Sequence, residues 1–160
     1  MWPTGPPFAL CDTFTITADT YLNALYFDGV QVPSASLPHA TSWSATDTVS
    51  VSASVGVIAV QATYDYWSPY AHSTATYGII AANNNARIVT NGTWKCSSTP
   101  ATNWQLPSFD DSSWTASAAF WDTAYSGTVV AGATSFIWYS GVPTIPPTPM
   151  STYCRFNNSQ

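Results

Sequence analysis

The side chains best suited to bind a ligand lie close together in one short segment. The run 64–70 places four aromatic rings around one carboxylate, and a histidine follows two positions later. Aromatic faces stack on the C–H surfaces of sugars, and a carboxylate accepts hydrogen bonds from sugar hydroxyls. The candidate contact residues are Tyr64, Asp65, Tyr66, Trp67, Tyr70 and His72. The same rings can instead contact a second subunit or cover one end of the core, because aromatic residues are also enriched at protein interfaces.

Side chains for catalysis or for metal binding are few. Asp110 and Asp111 are adjacent, but neighbouring side chains on a strand point to opposite faces, and in a turn one caps while the other faces water. This pair is expected to cap a short helical turn running toward 114–119. His39 and His72 lack the spacing of zinc ligands. We therefore predict no enzyme and no metal or cofactor site, with structural calcium left open as an alternative although no Asp-rich spacing marks one.

Glycosylation patterns indicate an extracellular or cell-surface protein. Asn91 and Asn157 each begin an acceptor triplet for N-linked glycans. Thr144 and Thr148 lie in the Pro-Thr-rich stretch 142–150, which can carry O-linked glycans or act as a stiff spacer. Charged residues make up only 7% of the chain, against about 25% in an average soluble domain. Covalent glycans would supply the solubility that charge does not.

The composition also excludes several classes of partner. The net charge is −5 and only three residues are basic, so the chain cannot neutralise a phosphate backbone and we expect no nucleic-acid partner. No apolar run reaches the roughly 18 residues of a membrane-spanning helix, so we expect no membrane span. Residues 1–7 lack the basic and apolar regions of a secretory signal, as the start of a mature fragment would.

The elements that must position these residues are strands. Segments 13–17 and 48–52 alternate polar and apolar residues, while 55–62 is denser in apolar residues and is expected to be a central strand buried on both faces. Asp28-Gly29 is a strong hairpin signal. About nine or ten short strands with regular turns predict an antiparallel β-sandwich.

Four segments share a family pattern when they are taken in order. They are 17–30, 56–60, 88–95 and the most specific one, Phe109-Asp110-Asp111-Ser112-Ser113-Trp114. Together they resemble the galactose-binding-domain-like jelly roll, a module of many glycoside hydrolases and extracellular surface proteins. The resemblance covers residues 11–156, between a Pro-rich N-terminal segment, 1–10, and a tail, 157–160. It implies an all-β jelly-roll sandwich, in which the two aspartates hold a turn by accepting backbone N–H bonds.

The resemblance also implies a packing and a disulfide pairing. Trp94 and Trp114 are expected in or beside the core. Cys96 and Cys154 fall near the ends of neighbouring strands in the family pattern, which favours a bridge between them and leaves Cys11 free or linked to another subunit. A Cys11–Cys154 bridge is the second choice. From the residues alone, an odd cysteine count outside the cell suggests one bridge and one spare thiol, and three reduced, buried cysteines are the alternative.

Members of this family are often non-catalytic, and two functions are expected from the sequence. The first is a structural glycoprotein that assembles with copies of itself into a filament or surface coat, with 1–11 and 142–156 at the subunit contacts. The second is a carbohydrate-binding, lectin-like module that uses the aromatic loop 64–72.

Overall fold

The computed structural model shows two antiparallel sheets that pack face to face. The structure describes residues 11–65, 67–68, 78–85, 87–120, 135–138 and 149–158. Several predicted features lie outside these described residues: the contact candidates Tyr66, Tyr70 and His72, the O-glycosylation candidates Thr144 and Thr148, and the segment 1–10.

The described residues form eleven strands divided between the two sheets. The five-stranded sheet has the order β4-β1-β6-β10-β9, with β4 Asp47–Ser52, β1 Cys11–Ala18, β6 Ile79–Asn83, β10 Phe136–Trp138 and β9 Ala118–Phe120. The six-stranded sheet has the order β3-β2-β5-β11-β7-β8, with β3 Val30–Gln31, β2 Tyr21–Phe27, β5 Val57–Tyr64, β11 Met150–Asn157, β7 Lys95–Ser97 and β8 Thr115–Ala116. The predicted antiparallel β-sandwich is confirmed.

The core is built from the inward-facing positions of both sheets. Phe14 and Ile16 of β1 are fully buried and belong to the same hydrophobic cluster as Ile58 and Val60 of β5. Alternation along β1 and β4 follows from the two-residue period of a strand, which sends every second side chain into the core. The first four residues of β5 are all buried. This strand lies between β2 and β11, as expected for a central strand covered on both faces.

The turn between β2 and β3 is the hairpin that Asp-Gly predicts. Both central residues have positive φ, 49° at Asp28 and 84° at Gly29, the backbone that a two-residue type I′ hairpin requires. The Asp28 carboxylate also accepts hydrogen bonds from the backbone amides of Gly56 and Val57, at 3.0 and 2.7 Å. The hairpin tip is thereby fastened to the connection between β4 and β5.

The predicted helical turn toward 114–119 is wrong. The backbone N–H of Trp114 donates to the carbonyl of Asp111 in a single turn, at 3.0 Å. The chain then forms β8 and β9, which pair with β7 and β10. Pairing with these two strand edges outweighs the weak local preference for a helix, because the tertiary partners satisfy the backbone. Before this turn, Val89 pairs with Ala82 in an isolated bridge.

The two sides of the sandwich differ. On one side, β8 belongs to the six-stranded sheet and β9 to the five-stranded sheet, so the chain crosses between the sheets at Ser117 and closes the gap. The Ser117 backbone N–H donates to the Trp94 carbonyl at 2.8 Å, and its hydroxyl donates to the Asn91 carbonyl at 2.9 Å. On the other side, β3 and β4 are the outermost described strands of their sheets. A groove of about 580 Å³ lies between them.

Candidate functional site

The described part of the aromatic segment forms a turn at the end of β5. The backbone N–H of Trp67 donates to the Asp65 carboxylate at 3.1 Å, and the N–H of Ser68 donates to the Asp65 carbonyl at 3.0 Å. The Ser68 hydroxyl lies 3.0 Å from the hydroxyl of Tyr21, the first residue of β2. These bonds hold the Trp67 side chain at the surface, where it is 77% exposed.

The predicted contact residues of this segment divide into two environments. Tyr64 is fully buried and belongs to the core cluster, so its ring offers no face to a ligand. Asp65 is half-buried, and Trp67 is the exposed ring. The two-residue period of a strand explains why Tyr64 is buried, because it lies on the same face of β5 as the buried residues Val60 and Ala62.

The residue that accepts a hydrogen bond from Asp65 has a left-handed backbone conformation. Thr20, between β1 and β2, has φ 71° and is fully buried. Left-handed backbone is strained for a β-branched residue, and such strain concentrates at binding and active sites. The Thr20 hydroxyl accepts a long hydrogen bond from the Asp65 N–H, at 3.4 Å. This bond links the strained residue to the turn that exposes Trp67.

A row of polar side chains crosses the outer face of the six-stranded sheet beside this turn. The Thr63 hydroxyl donates to the Asn23 side-chain oxygen at 2.7 Å and lies 2.8 Å from the Ser151 hydroxyl. A hydroxyl has one proton, so Ser151 is the donor to Thr63. The Asn23 amide group and the lone pairs of Ser151 then remain at the two ends of the row. Three neighbouring strands carry it, so it spans about 10 Å.

A buried charge cluster lies on the same outer face, further along β11. The Arg155 guanidinium donates to the Asp111 carboxylate at 2.9 Å, and the Lys95 ammonium lies 3.1 Å from the other oxygen of that carboxylate. Burial lowers the pKa of Arg155, and the Asp111 carboxylate opposes that shift. Arginine nevertheless stays charged in proteins, so the cluster is ionic.

The arginine also fixes the connection between β7 and β8. Its two terminal nitrogens donate to the carbonyls of Phe109 and Leu106, at 3.1 and 3.0 Å. This anchoring places Trp104 across β5, where its ring contacts Tyr26 of β2 and Tyr153 of β11 at centroid distances of 5.7 and 5.3 Å. The cluster is therefore a device that holds the connection onto the sheet.

The two adjacent aspartates have different environments. Asp110 accepts a hydrogen bond from the Ser112 backbone N–H at 2.9 Å, the capping contact expected for this turn. That bond, together with a contact to the Ser112 side chain, lowers the pKa of Asp110. Asp111 does not face water as expected, because its ion pairs with Lys95 and Arg155 hold it against the outer face of the sheet, where it is 7% exposed. Arg155, the single charged residue of β11, was the one sequence signal for this pairing.

The histidine in the β3–β4 connection also has a carboxylate partner. The His39 Nδ1 atom lies 3.0 Å from the Asp47 carboxylate, which accepts the His39 backbone N–H as well. Within the described ranges, no group of three or more His, Cys, Asp or Glu side chains is placed to hold a metal ion. The hydrogen bonds between His39 and Asp47 fasten the β3–β4 connection to the first residue of β4.

The disulfide joins Cys96 and Cys154, the pairing implied by the family resemblance. The two residues are directly opposite each other in the register of β7 and β11, and both are fully buried. Cys11, the first residue of β1, is a free and exposed thiol.

The first N-glycosylation candidate lies on an exposed turn. The Asn91 side-chain oxygen accepts hydrogen bonds from the backbone N–H and the hydroxyl of Thr93, at 2.8 and 2.6 Å. A Cβ added at Gly92 would meet nothing within 4 Å, so there is open space at the centre of the triplet. Asn157 ends β11, and the third residue of its triplet, Ser159, lies outside the described residues.

Comparisons with protein-family models, with curated proteins and with solved structures found no match. The resemblance to the galactose-binding-like modules stays a prediction. No helix in the described ranges is both long enough and apolar enough to cross a membrane.

Proposed function

We propose that this chain is a non-catalytic extracellular glycoprotein module that acts as a structural subunit of a filament or surface assembly. The observation that carries the proposal is the side of the sandwich where β3 and β4, the outermost described strands of their sheets, flank a groove lined by both apolar and uncharged polar residues. Exposed strand edges are templates for pairing with another chain, and proteins that stay monomeric blunt them with charge, proline or a bulge. Strand β4 has none of these at its three exposed positions, which are Thr48, Ser50 and Ser52.

Two further features support an extracellular structural role. A buried disulfide is typical of proteins that fold in an oxidising compartment. The Asn91 triplet lies on an accessible turn, and a glycan there would add solubility to a surface with few charges. The galactose-binding-like resemblance agrees with a module that spaces or orients its neighbours.

Electron microscopy and light scattering of native material test this proposal. Regular filaments or sheets are the expected result. Native material that stays a single 17.2 kDa polypeptide plus glycans, at every concentration, would overturn the assembly role. Mass spectrometry of the peptides that contain Asn91 and Asn157 tests the glycoprotein assignment in the same sample.

A second function, carbohydrate binding, is favoured by the surface around Trp67. An exposed ring beside a carboxylate and a row of three polar side chains combines a stacking face with hydroxyl partners. Titration against a glycan array should then show binding that Trp67→Ala weakens at least about tenfold, equivalent to about 1.4 kcal/mol. Val30→Ala is the matched control, because Val30 is a similarly exposed apolar residue, 72% exposed, and lies beside the last residue of β2, whereas the Trp67 turn contacts the first. Absence of binding, or equal loss in both variants, would remove this function.

A further inference from the structure

The groove between β3 and β4 has the composition of a site for an apolar, uncharged chain segment. Its apolar walls are Phe27, Val30, Val32, Pro33 and Val49. None of its described lining residues is charged, and the polar ones carry hydroxyl or amide side chains. Val30 is 72% exposed although its neighbours Phe27 and Val32 pack against the core. An occupant that fills this groove would cover apolar surface on both sheets at once.

The edge of β4 gives the groove a backbone partner as well as apolar walls. Strand β4 pairs with β1 along its whole length, and on its other side the described part of the chain places no strand. A row of backbone N–H and C=O groups therefore faces the groove side. Such an edge accepts an extended peptide as an added strand, with alternate side chains of the peptide entering pockets beside it.

We propose that residues 2–10 of a second copy of this chain occupy the groove and add to β4 as an extra strand. This inference rests on the proposed assembly function and specifies its contact. The segment carries no charge and includes Trp2, Phe8 and Leu10 as large apolar side chains, which matches the uncharged apolar walls. Its three prolines have no N–H to donate, which excludes the segment from the middle of a sheet but not from an outermost added strand.

The length of the segment also fits. Nine extended residues reach about 30 Å, while the six residues of β4 span about 20 Å. The segment 2–10 directly precedes β1 and is long enough to cover the whole of β4.

The path of the chain favours a neighbouring copy over the same copy. Cys11 enters β1 opposite Ser52, at the end where 53–56 carries the chain from β4 across to β5. A segment leaving Cys11 would have to pass around this connection and reverse before it could reach its own groove. A segment from another copy meets no such obstacle. This contact joins two different surfaces, so it repeats head to tail and generates an open filament unless the rotation closes into a ring.

Two variants, each lacking one of the two surfaces that meet, test the proposed contact between residues 2–10 and β4. Deletion of residues 2–10 removes the donated strand and leaves the groove intact. Ser50→Lys places a charge at an exposed β4 position and blocks the edge while keeping the donated strand. Each variant alone should show only monomer mass by size-exclusion chromatography with light scattering, whereas the full chain forms larger species. A mixture of the two should form a complex of twice the monomer mass and nothing larger, because each supplies the half that the other lacks.

Controls separate this contact from general effects of charge or misfolding. Ser98→Lys adds the same charge at an exposed position after β7 and should assemble like the unaltered chain. Val30→Asp blocks the groove from the other wall at a side chain that is already 72% exposed, so it should reproduce the defect of Ser50→Lys without loss of thermal stability.

Four results would overturn the inference. The first is unaltered assembly of the deletion variant, which would point to pairing between two β4 edges. The second is a mixture that stays monomeric. The third is a monomeric full chain whose melting temperature falls on deletion, which would place the segment in its own groove. In the fourth, native filaments are present but neither Ser50→Lys nor Val30→Asp affects assembly, so the proposed function survives and this contact alone fails. Native material that is monomeric throughout would remove both.

Discussion

Replacing Arg155 with methionine should destabilise the fold strongly. The side chain is 1% exposed, donates to the carbonyls of Leu106 and Phe109, and forms an ion pair with Asp111. Methionine fills much of the volume but removes the donors to the Asp111 carboxylate and to the Phe109 carbonyl, while the Leu106 carbonyl keeps the backbone N–H of Phe109. Removing one partner of a buried ion pair costs about 3–5 kcal/mol, and each buried acceptor left without a partner costs about 1–3 kcal/mol.

Some of that cost is recovered because Lys95 remains beside Asp111 and because the connection can move to admit water. We therefore expect a loss of about 4 kcal/mol in the free energy of unfolding. For a chain of this size each kcal/mol lowers the melting temperature by about 2–4 °C, so the melting temperature should fall by roughly 8–16 °C.

Equilibrium urea denaturation and a thermal melt measure this effect. Arg87→Met is the matched control, because Arg87 is exposed, and it should change the free energy of unfolding by less than about 0.5 kcal/mol. The double variant Arg155→Met with Asp111→Leu should be more stable than Arg155→Met alone, since it removes the carboxylate that the first change leaves undercompensated. An Arg155→Met protein within about 1 kcal/mol of the unaltered chain would refute the assignment of the cluster as an anchor. If the double variant loses as much free energy of unfolding as Arg155→Met and Asp111→Leu lose in total, the coupling between Arg155 and Asp111 is refuted.

Three other predictions concern the bridge, the hairpin and the capped turn. Cys154→Ala opens a bridge between residues 58 positions apart and should lower the free energy of unfolding by about 4 kcal/mol. The control Cys11→Ser, at the exposed thiol, should change the free energy of unfolding by less than about 0.5 kcal/mol. Denaturation under non-reducing conditions measures both effects. Asp28→Ala loses two hydrogen bonds at a residue with φ 49° and should cost about 2 kcal/mol, whereas Asp28→Asn keeps the acceptor and tolerates the backbone, so a similar loss in both would contradict this role. The pKa of Asp110 is lowered by its Ser112 partner, so its stabilisation is present above the ordinary carboxyl pKa and is lost as pH falls through the lowered value; stability measured against pH should therefore be flatter in that acidic range for Asp110→Ala.

Local patterns were sufficient for most of the sandwich. Alternation placed β1 and β4, and the dense apolar run placed β5 at the centre of its sheet. The Asp28-Gly29 turn was readable because positive φ at two successive positions demands particular residues. These signals depend on neighbours along the chain, which is why a single sequence reveals them.

The contacts of the site were harder to predict from the sequence, because the residues that meet there are far apart along the chain. Arg155 meets Asp111 and Phe109 across 44 and 46 positions, and no local period records such a pairing. The helical turn expected after Asp111 failed for the same reason, since its strands exist only through edges that β7 and β10 provide. The prediction that Tyr64 contacts a ligand could have been avoided, because its position along β5 already assigns it to the buried face.

The bridge between Cys96 and Cys154 also encloses most of the C-terminal half of the chain in one covalent ring. A single proteolytic cut anywhere between these two cysteines opens the ring but separates nothing. Both fragments stay attached through the buried sulfur atoms, and the strands β7 and β11 remain side by side. A nicked molecule would therefore keep its mass under non-reducing conditions and come apart only with a reductant. Against a protease, that linkage provides tolerance to cleavage across 57 successive positions.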